Sequence, residues 1–185
     1  MLDDALELSK DGMERALERL QRELARVRAG RANPAMLDEV RVDSYGVQMP
    51  LKQVATVTVA DARLLVVKPF DRNTIPAIEK AIGAAQLGLN PQSDGVVVRV
   101  PVPALTEERR KELVKQAHEL GEEARIGIRQ ARREANDLLK EAERDKEISE
   151  DDLERGRAQV QKVHDEYVAK ADELVKRKES EILSG

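Results

Sequence analysis

Apolar residues recur at helical spacing in three long segments of the chain. In the first segment, steps of mostly three and four residues connect Leu6, Met13, Leu17, Leu20, Leu24 and Val27. This spacing predicts a helix with one narrow apolar stripe. The other two segments follow the same period, each for around 35 residues or ~50 Å of helix. Because stripes this narrow must be buried against one another, the three segments predict an antiparallel three-helix bundle.

Local signals mark the ends of these helices. Gly30 suits a position just past the first helix. The second helix follows two prolines, with Thr106 as its cap and Glu107 near the positive end of the helix dipole. The third begins at ISEDD, with Ser149 as its cap. The apolar stripe of the second helix comprises Leu113, Ala117, Leu120, Ala124, Ile128, Ala131, Ala135 and Leu138. The stripe of the third comprises Leu153, Val160, His164, Tyr167, Ala171, Leu174 and Ile182.

The segment between the first two helices has a different pattern. EVRVDSYGVQMPL predicts two short strands around a Tyr45-Gly46 turn, and VATVTV, LLVVKPF and GVVVRVPV are β-branched runs bounded by turn residues. TIPAIEKAIGAAQLG predicts one helix among them, ending near Gly88. We therefore expect a small α/β domain over 31–104, inserted into a discontinuous bundle of 1–29 and 106–185.

Two connections between the predicted domains would lie side by side, at 29–31 and 101–105. Paired connections restrict twisting and leave bending open, so we hypothesise a hinge there. Its residues are Ala29, Gly30, Arg31, Pro101, Val102, Pro103, Ala104 and Leu105.

Composition and motifs disfavour enzyme chemistry. The chain has no cysteine, and its two histidines, His118 and His164, lack metal-ligand spacing. The glycines match neither dinucleotide-binding nor P-loop fingerprints. We therefore expect no catalytic residue, no bound metal and no cofactor. No apolar run is long enough to span a membrane and the N-terminus lacks the features of a signal peptide, so we expect a cytoplasmic protein.

Four arginines crowd into EEARIGIRQARREANDLLK, although the formal net charge of the chain is -4. At ~100° per residue, Arg125, Arg129, Arg132 and Arg133 share one helix face, away from the apolar stripe. Lys111, Lys115, His118, Asn136 and Lys140 extend this face. A solvated face paired with acids at i±4 is the simpler interpretation. The preference for arginine, which grips phosphate bidentately, favours a polyanion, and with few aromatics for base stacking we expect backbone recognition of structured RNA.

Several long motifs carry a family resemblance. VRAGRANPAML, YGVQMPLKQVATVTV, VPALTEERRKELVKQ, EEARIGIRQARREAND and DKEISEDD occur in this order across nearly the whole chain. Together they closely resemble the bacterial ribosome recycling factor family. The resemblance implies an α+β fold of two domains in an L shape, in which a three-helix bundle carries a β/α/β sandwich-like insert.

The resemblance also implies a role in protein biosynthesis after translation termination. Such factors bind the post-termination ribosome and, with elongation factor G and GTP, split it into subunits. The bundle would contact large-subunit ribosomal RNA near the intersubunit bridges, and the smaller domain would swing about the hinge. Residues matching the RNA-contacting positions are Arg132, Arg129 and Arg133, with Arg28, Arg31 and Arg110 near the hinge. We expect a monomer without a membrane partner. The alternative is a coiled-coil-type structural or protein-binding module whose arginines only solvate it.

Overall fold

The computed structural model describes residues 1–185 and divides them into two compact units. The bundle unit comprises Met1–Ala29 and Glu107–Ser184, and the α/β unit comprises Gly30–Thr106, with which the terminal Gly185 is grouped. In chain order the elements are α1 (Leu2–Arg26), β1 (Arg41–Ser44), β2 (Val47–Pro50), α2 (Leu51–Val54), β3 (Ala55–Asp61), β4 (Leu64–Pro69), α3 (Ile75–Ala84), β5 (Gln92–Ser93), β6 (Val98–Pro101), α4 (Glu107–Arg144) and α5 (Glu150–Ser184). Short 3-10 turns at Pro34–Leu37 and Arg72–Thr74 complete the set.

Contacts between the long helices confirm the antiparallel bundle. Residue numbers run in opposite directions where α4 meets α5, since Arg125 pairs with Asp172 and Arg132 with Gln161. Helix α1 runs antiparallel to α4, since Gly12 lies beside Ala131 and Ala16 beside Gly127. It runs parallel to α5, since Leu2 lies beside Gly156 and Glu14 beside Tyr167, and the three helices close one core. The lengths of α4 and α5, 38 and 35 residues, agree with the helical pattern of the sequence.

Glycines let the bundle helices approach one another closely. A Cβ built at Gly12 would lie 2.7 Å from the Cβ of Ala131 on α4, and one at Gly121 would lie 2.6 Å from a methyl of Val175 on α5. No real Cβ fits at such distances, so only hydrogen at these positions allows this packing.

The sequence pattern identified the side of each long helix that faces the core, but at several positions it chose a half-buried residue and missed a buried neighbour. On α4 the fully buried residues include Gly121 and Leu139, whereas their neighbours Leu120 and Leu138 are half-buried. On α5, His164, Tyr167 and Leu174 are half-buried, while Gly156, Val163 and Val175 are buried in the core. On α1, Ala5 is buried and Leu6 is half-buried. In each case a smaller or differently placed residue fits where two neighbouring helices converge.

The start of α5 is capped as the sequence predicts. The Oγ of Ser149 accepts a hydrogen bond from the backbone N–H of Asp152 at 3.1 Å, and Oδ2 of Asp152 accepts one from the N–H of Ser149 at 3.3 Å. These reciprocal bonds form a capping box. The hydrogen bonds from Ser149 hold the pKa of Asp152 below its usual value.

The α/β unit contains a β1–β2 hairpin and a four-stranded antiparallel sheet in the order β3-β4-β6-β5. Helix α3 contacts β1 as well as β5 and β6, so it lies between the hairpin and the sheet. Its core includes Val42, Leu65, Ile78, Ile82 and Val100, all with almost no exposed surface. This confirms the α+β class and the β/α/β arrangement of the insert.

Four details of the α/β unit differ from the sequence pattern. Leu51 and Val54, which lie in runs predicted as strands, begin and end the short helix α2. Helix α3 ends at Ala84, before Gly88, because Gln86 already adopts a left-handed conformation with φ of 53°. Strand β5 is only two residues long and gave no hydrophobic signal. Strand β6 begins at Val98 because Val97, at the preceding turn, hydrogen-bonds to Asp94 instead of a strand.

Candidate RNA interface

The candidate interface is the exposed face of α4 that carries Arg125, Arg129, Arg132 and Arg133. The buried residues Ala124, Ile128, Ala131 and Ala135 face the bundle core, so the arginines are directed away from it. Arg133 is exposed and makes no hydrogen bond or ion pair within the chain. Arg132 is half-buried, and its Nη1 donates to Oε1 of Gln161 on α5 at 3.0 Å. Arg132 therefore has no carboxylate in direct contact. The hydrogen bond with His164 and, more weakly, the nearby charge of Arg132 hold the pKa of Asp165 below its usual value.

Arg125 and Arg129 share an acidic neighbour. Glu122 accepts from Arg129 Nη2 at 2.6 Å and from Arg125 Nε at 2.9 Å. Hydrogen bonds from Arg129 and then Arg125 hold the pKa of Glu122 below its usual value. Arg125 also donates to Asp172 on α5 at 2.5 Å, and only 25% of its side chain is exposed. Arg125 therefore tethers α4 to α5, whereas Arg129 can exchange Glu122 for an outside anion.

The basic extension of this face is compensated locally. Lys111 lies 3.3 Å from Glu107, Lys140 lies 3.8 Å from Asp137, and Lys115 lies 4.0 Å from Glu119. His118 Nε2 lies 3.1 Å from Glu179 on α5. Because each of these bases has an acid beside it, the arginines on this face that lack a direct carboxylate contact are Arg132 and Arg133.

Asn136 and His164 are not available as surface groups. Asn136 is half-buried, and its Oδ1 has no hydrogen-bond partner. His164 is 12% exposed, its Nδ1 lies 2.9 Å from Asp165, and its Nε2 is buried without a partner. The histidine thus packs between helices, in keeping with a structural role.

An exposed apolar residue within the arginine face was not identified from the sequence. Ile126 is 53% exposed and lines a shallow depression with Arg129, Gln130, Arg133 and Glu134. At ~100° per residue Ile126 lies next to Arg133 and almost opposite the apolar stripe, and an apolar residue at such a position is the signal that could have revealed it.

The other basic residues proposed from the sequence lie within a few positions of the points where the chain passes from one unit to the other. Arg28 is exposed and belongs to the bundle unit, as does the half-buried Arg110 in the first turn of α4. Arg31 is exposed and belongs to the α/β unit.

The predicted hinge residues divide into anchored and unanchored groups. Pro101 ends β6 opposite Leu64, and Val102 is buried, with its N–H donating to the carbonyl of Arg63 at 2.8 Å. Gly30 has φ of +77°, and a Cβ there would lie 3.1 Å from the side chain of Leu105. Pro101 and Val102 are thus held by the sheet, which leaves the shorter segments around Gly30 and Pro103–Leu105 as connections.

No group of histidine, cysteine, aspartate or glutamate side chains in the structure is arranged to hold a metal ion. None of the helices is both long enough and apolar enough to cross a membrane.

Comparison with known proteins decides the family. The ribosome recycling factor family model matches residues 20–183. The chain belongs to the ribosome recycling factor family. Ribosome-recycling factors from Carboxydothermus hydrogenoformans and Bacillus subtilis are 50% and 51% identical to it, over 100% and 99% of both chains. Ribosome recycling factors are non-catalytic translation factors, so the chain is not an enzyme.

Solved structures agree with this assignment. A solution structure of a ribosome recycling factor is 40% identical, with a TM-score of 0.75 over 100% of this chain and 98% of that one. A T. thermophilus ribosome recycling factor, in a structure with E. coli elongation factor G bound to the E. coli post-termination complex, is 46% identical. Its TM-score is 0.65, with 99% of each chain covered.

Proposed function

We propose that this protein binds the post-termination ribosome and, with elongation factor G and GTP, promotes its dissociation into subunits. The family match over nearly the whole chain carries this proposal. A relative that is 46% identical is described together with elongation factor G on a post-termination complex, which supports the same partners here. The role is mechanical, and GTP hydrolysis belongs to the elongation factor.

The α4 arginines are the proposed binding surface for large-subunit ribosomal RNA. Arg133 has no partner in the chain and Arg132 has only an amide, so both can bind phosphate without breaking an ion pair. Each guanidinium offers a planar fork that matches two phosphate oxygens. Arg129 can join them when an RNA phosphate displaces Glu122. Arg125, Arg28, Arg31 and Arg110 are proposed as weaker or peripheral contacts.

The two short connections are the proposed hinge. Gly30 supplies a left-handed conformation that few other residues adopt without strain, and Pro103–Leu105 lies outside the sheet. Bending there would let elongation factor G move the α/β unit toward the intersubunit bridges while the bundle stays bound. Such a protein works as a monomer in the cytoplasm, where post-termination ribosomes are found.

Co-sedimentation with post-termination ribosomes over a salt series tests the α4 binding surface. The comparison uses the native chain, Arg132→Ala and the double variant Arg132→Ala/Arg133→Ala. We expect each lost phosphate contact to weaken binding and to reduce the slope of log affinity against log salt by about one.

Arg177→Ala on α5 is the matched control, because Arg177 is exposed and paired with Glu173 at 2.7 Å. It should bind like the native protein. If the α4 variants also bind like the native protein, the arginine face does not contact RNA, and the protein-binding alternative gains support. A parallel assay of subunit splitting with elongation factor G and GTP tests the function itself.

A further inference from the structure

A second arginine stripe lies on α1. Arg15, Arg19, Arg22 and Arg26 are spaced by four, three and four residues. At ~100° per residue they lie within an arc of about 60°, along ~16 Å of helix. The buried residues of α1, among them Met13, Leu17, Leu20 and Leu24, lie on the opposite side. The α1 stripe is therefore exposed along its whole length.

The arginines of the α1 stripe are only weakly paired. Arg22 makes no hydrogen bond or ion pair within the chain. The Nε of Arg15 donates to the carbonyl of Asp11 in its own helix at 3.2 Å. This bond leaves the charge of Arg15 uncompensated, because it involves no carboxylate.

The other two arginines have distant acidic neighbours. Arg19 lies 4.0 Å from Glu123 on α4 and Arg26 lies 3.4 Å from Glu23, and both arginines are more than 70% exposed. Exposed pairs with this geometry contribute little to stability. An external anion could replace these acids at small cost.

A depression of about 260 Å³ lies beside the α1 stripe, between α1 and α4. Its lining includes Arg15 and Arg19, with small residues such as Ala16 and Gly127 between the helices. A Cβ at Gly127 would lie 3.1 Å from the Cβ of Ala16, so glycine at this position lets α4 approach α1 closely at the floor of the depression. Glu23 and Glu123 also line it, close to Arg19. We therefore expect the closest anion contacts at Arg15 and Arg22.

We propose that the α1 stripe is a second binding surface for the phosphodiester backbone of RNA, separate from the α4 arginine face. Every basic residue between Arg15 and Arg26 is arginine, the side chain best suited to bidentate phosphate binding. No aromatic residue occurs in this part of α1. A protein partner would require an apolar or aromatic interface core, which the α1 stripe lacks. This inference rests on the proposed function in one respect, namely that the bound RNA is ribosomal RNA.

Binding to post-termination ribosomes and to protein-free large-subunit RNA, each over a salt series, tests the proposal. The test variant is Arg15→Ala/Arg19→Ala/Arg22→Ala. A control, Arg144→Ala/Arg155→Ala/Arg177→Ala, removes the same charge from exposed arginines that each have a carboxylate neighbour. Circular dichroism checks that both variants remain folded.

We expect the test variant to reduce the salt slope by about two to three on both RNA probes, at about one per lost phosphate contact. The control should keep the native slope. The variant Arg15→Lys/Arg19→Lys/Arg22→Lys should retain the slope and lose part of the affinity, since lysine keeps the charge without the fork.

Two results would overturn the proposal. If the test variant binds both probes like the native chain, the α1 stripe is a solvated face. If it loses affinity for ribosomes but not for protein-free RNA, the α1 stripe binds a protein. If only the α4 variants bind like the native chain, the proposed RNA contact of α4 is contradicted and the proposal for the α1 stripe is unaffected. The two proposals are therefore tested separately.

Discussion

At the scale of single residues, the α4 arginines differ in how readily they can bind an outside anion. Their spacing in the sequence predicted a shared face, and the structure confirms that they lie outside the core. Helix α5 decides which of these arginines already have a hydrogen-bond partner. Gln161 binds Arg132 and Asp172 binds Arg125, and both partners lie about 30 to 50 positions further along the chain. No pattern within α4 could have shown that Arg125 is tied to α5 and Arg133 is not.

In the proposed interface, an RNA phosphate would compete with Glu122 for Arg129. Glu122→Gln should strengthen ribosome binding at low salt by roughly two- to fivefold, as expected for one exposed charge. The reason is that Arg129 then no longer has to release a carboxylate before it binds phosphate. Glu119→Gln, beside Lys115 at 4.0 Å, is the control for removing an acid elsewhere on α4. An equal gain in both variants would show a general charge effect and no specific restraint.

Tyr167 links α5 to α1 in a pH-dependent way. Its hydroxyl donates to Glu14 at 2.6 Å, and this hydrogen bond, with burial, raises the pKa of Tyr167 to about 12. Because the folded-state pKa exceeds the ordinary value of 10, the bond stabilises the fold below pH 10 and is lost as the pH rises toward 12.

Tyr167→Phe should therefore lower the free energy of unfolding near neutral pH by about 1 kcal/mol. Denaturant unfolding measured from pH 7 to 12 should show the two proteins converging at the alkaline end. A difference that persists unchanged to pH 12 would mean that ring packing, for example beneath Lys170 at 4.4 Å, accounts for the loss.

At the scale of secondary-structure elements, the helical period predicted where the long helices lie but not which residues their neighbours cover. Leu120 and Leu138 were assigned to the core, and Gly121 and Leu139 occupy those places. Adjacent positions on a long helix differ by only ~100°, so the directions of two packed neighbours decide between them. The glycines at these contacts gave no hydrophobic signal at all.

Two helical glycines should respond oppositely to alanine. Gly12→Ala places a Cβ 2.7 Å from that of Ala131, and overpacking of this kind costs about 1–3 kcal/mol, more than the ~1 kcal/mol of helix propensity gained. Gly83→Ala in α3 meets nothing within 4 Å, so we expect a gain of up to about 1 kcal/mol.

Thermal unfolding of each variant measures the two effects. A stabilising Gly12→Ala would show that α1 and α4 can separate at little cost, contrary to the close contact in the structure.

At the scale of the whole molecule, the chain consists of a bundle unit whose sequence is interrupted by an α/β unit. The β-branched runs and the long helical stripes already separated these regions, because period two and period 3.6 are easily distinguished. The structure adds that Val102 is held in the core of the α/β unit. The proposed hinge therefore contains fewer residues than the sequence suggested, because Pro101 and Val102 are held by the sheet.

Gly30→Ala tests the connection. The backbone φ of Gly30 is +77°, and an added Cβ would lie 3.1 Å from the side chain of Leu105. Alanine here should therefore lower the free energy of unfolding by about 1 kcal/mol or more and alter the path of the chain. We expect ribosome binding to be retained, since the α4 arginines are untouched, and splitting with elongation factor G and GTP to slow. Gly88→Ala, with φ of +66° and an open surrounding, is the control for backbone strain elsewhere. Equal slowing in both variants would assign the defect to general destabilisation.

The sequence by itself determined the family, the three long helices, the longer strands, and the face of α4 that carries the arginines. These properties depend on local periodicity and on long motifs, both of which are present in the order of residues. Only the tertiary structure decided which arginines are compensated, which glycines bring helices together, and how Arg15 and Arg19 come to line a depression between α1 and α4. Those features arise from contacts between residues far apart in the chain, whose distances depend on how the helices pack.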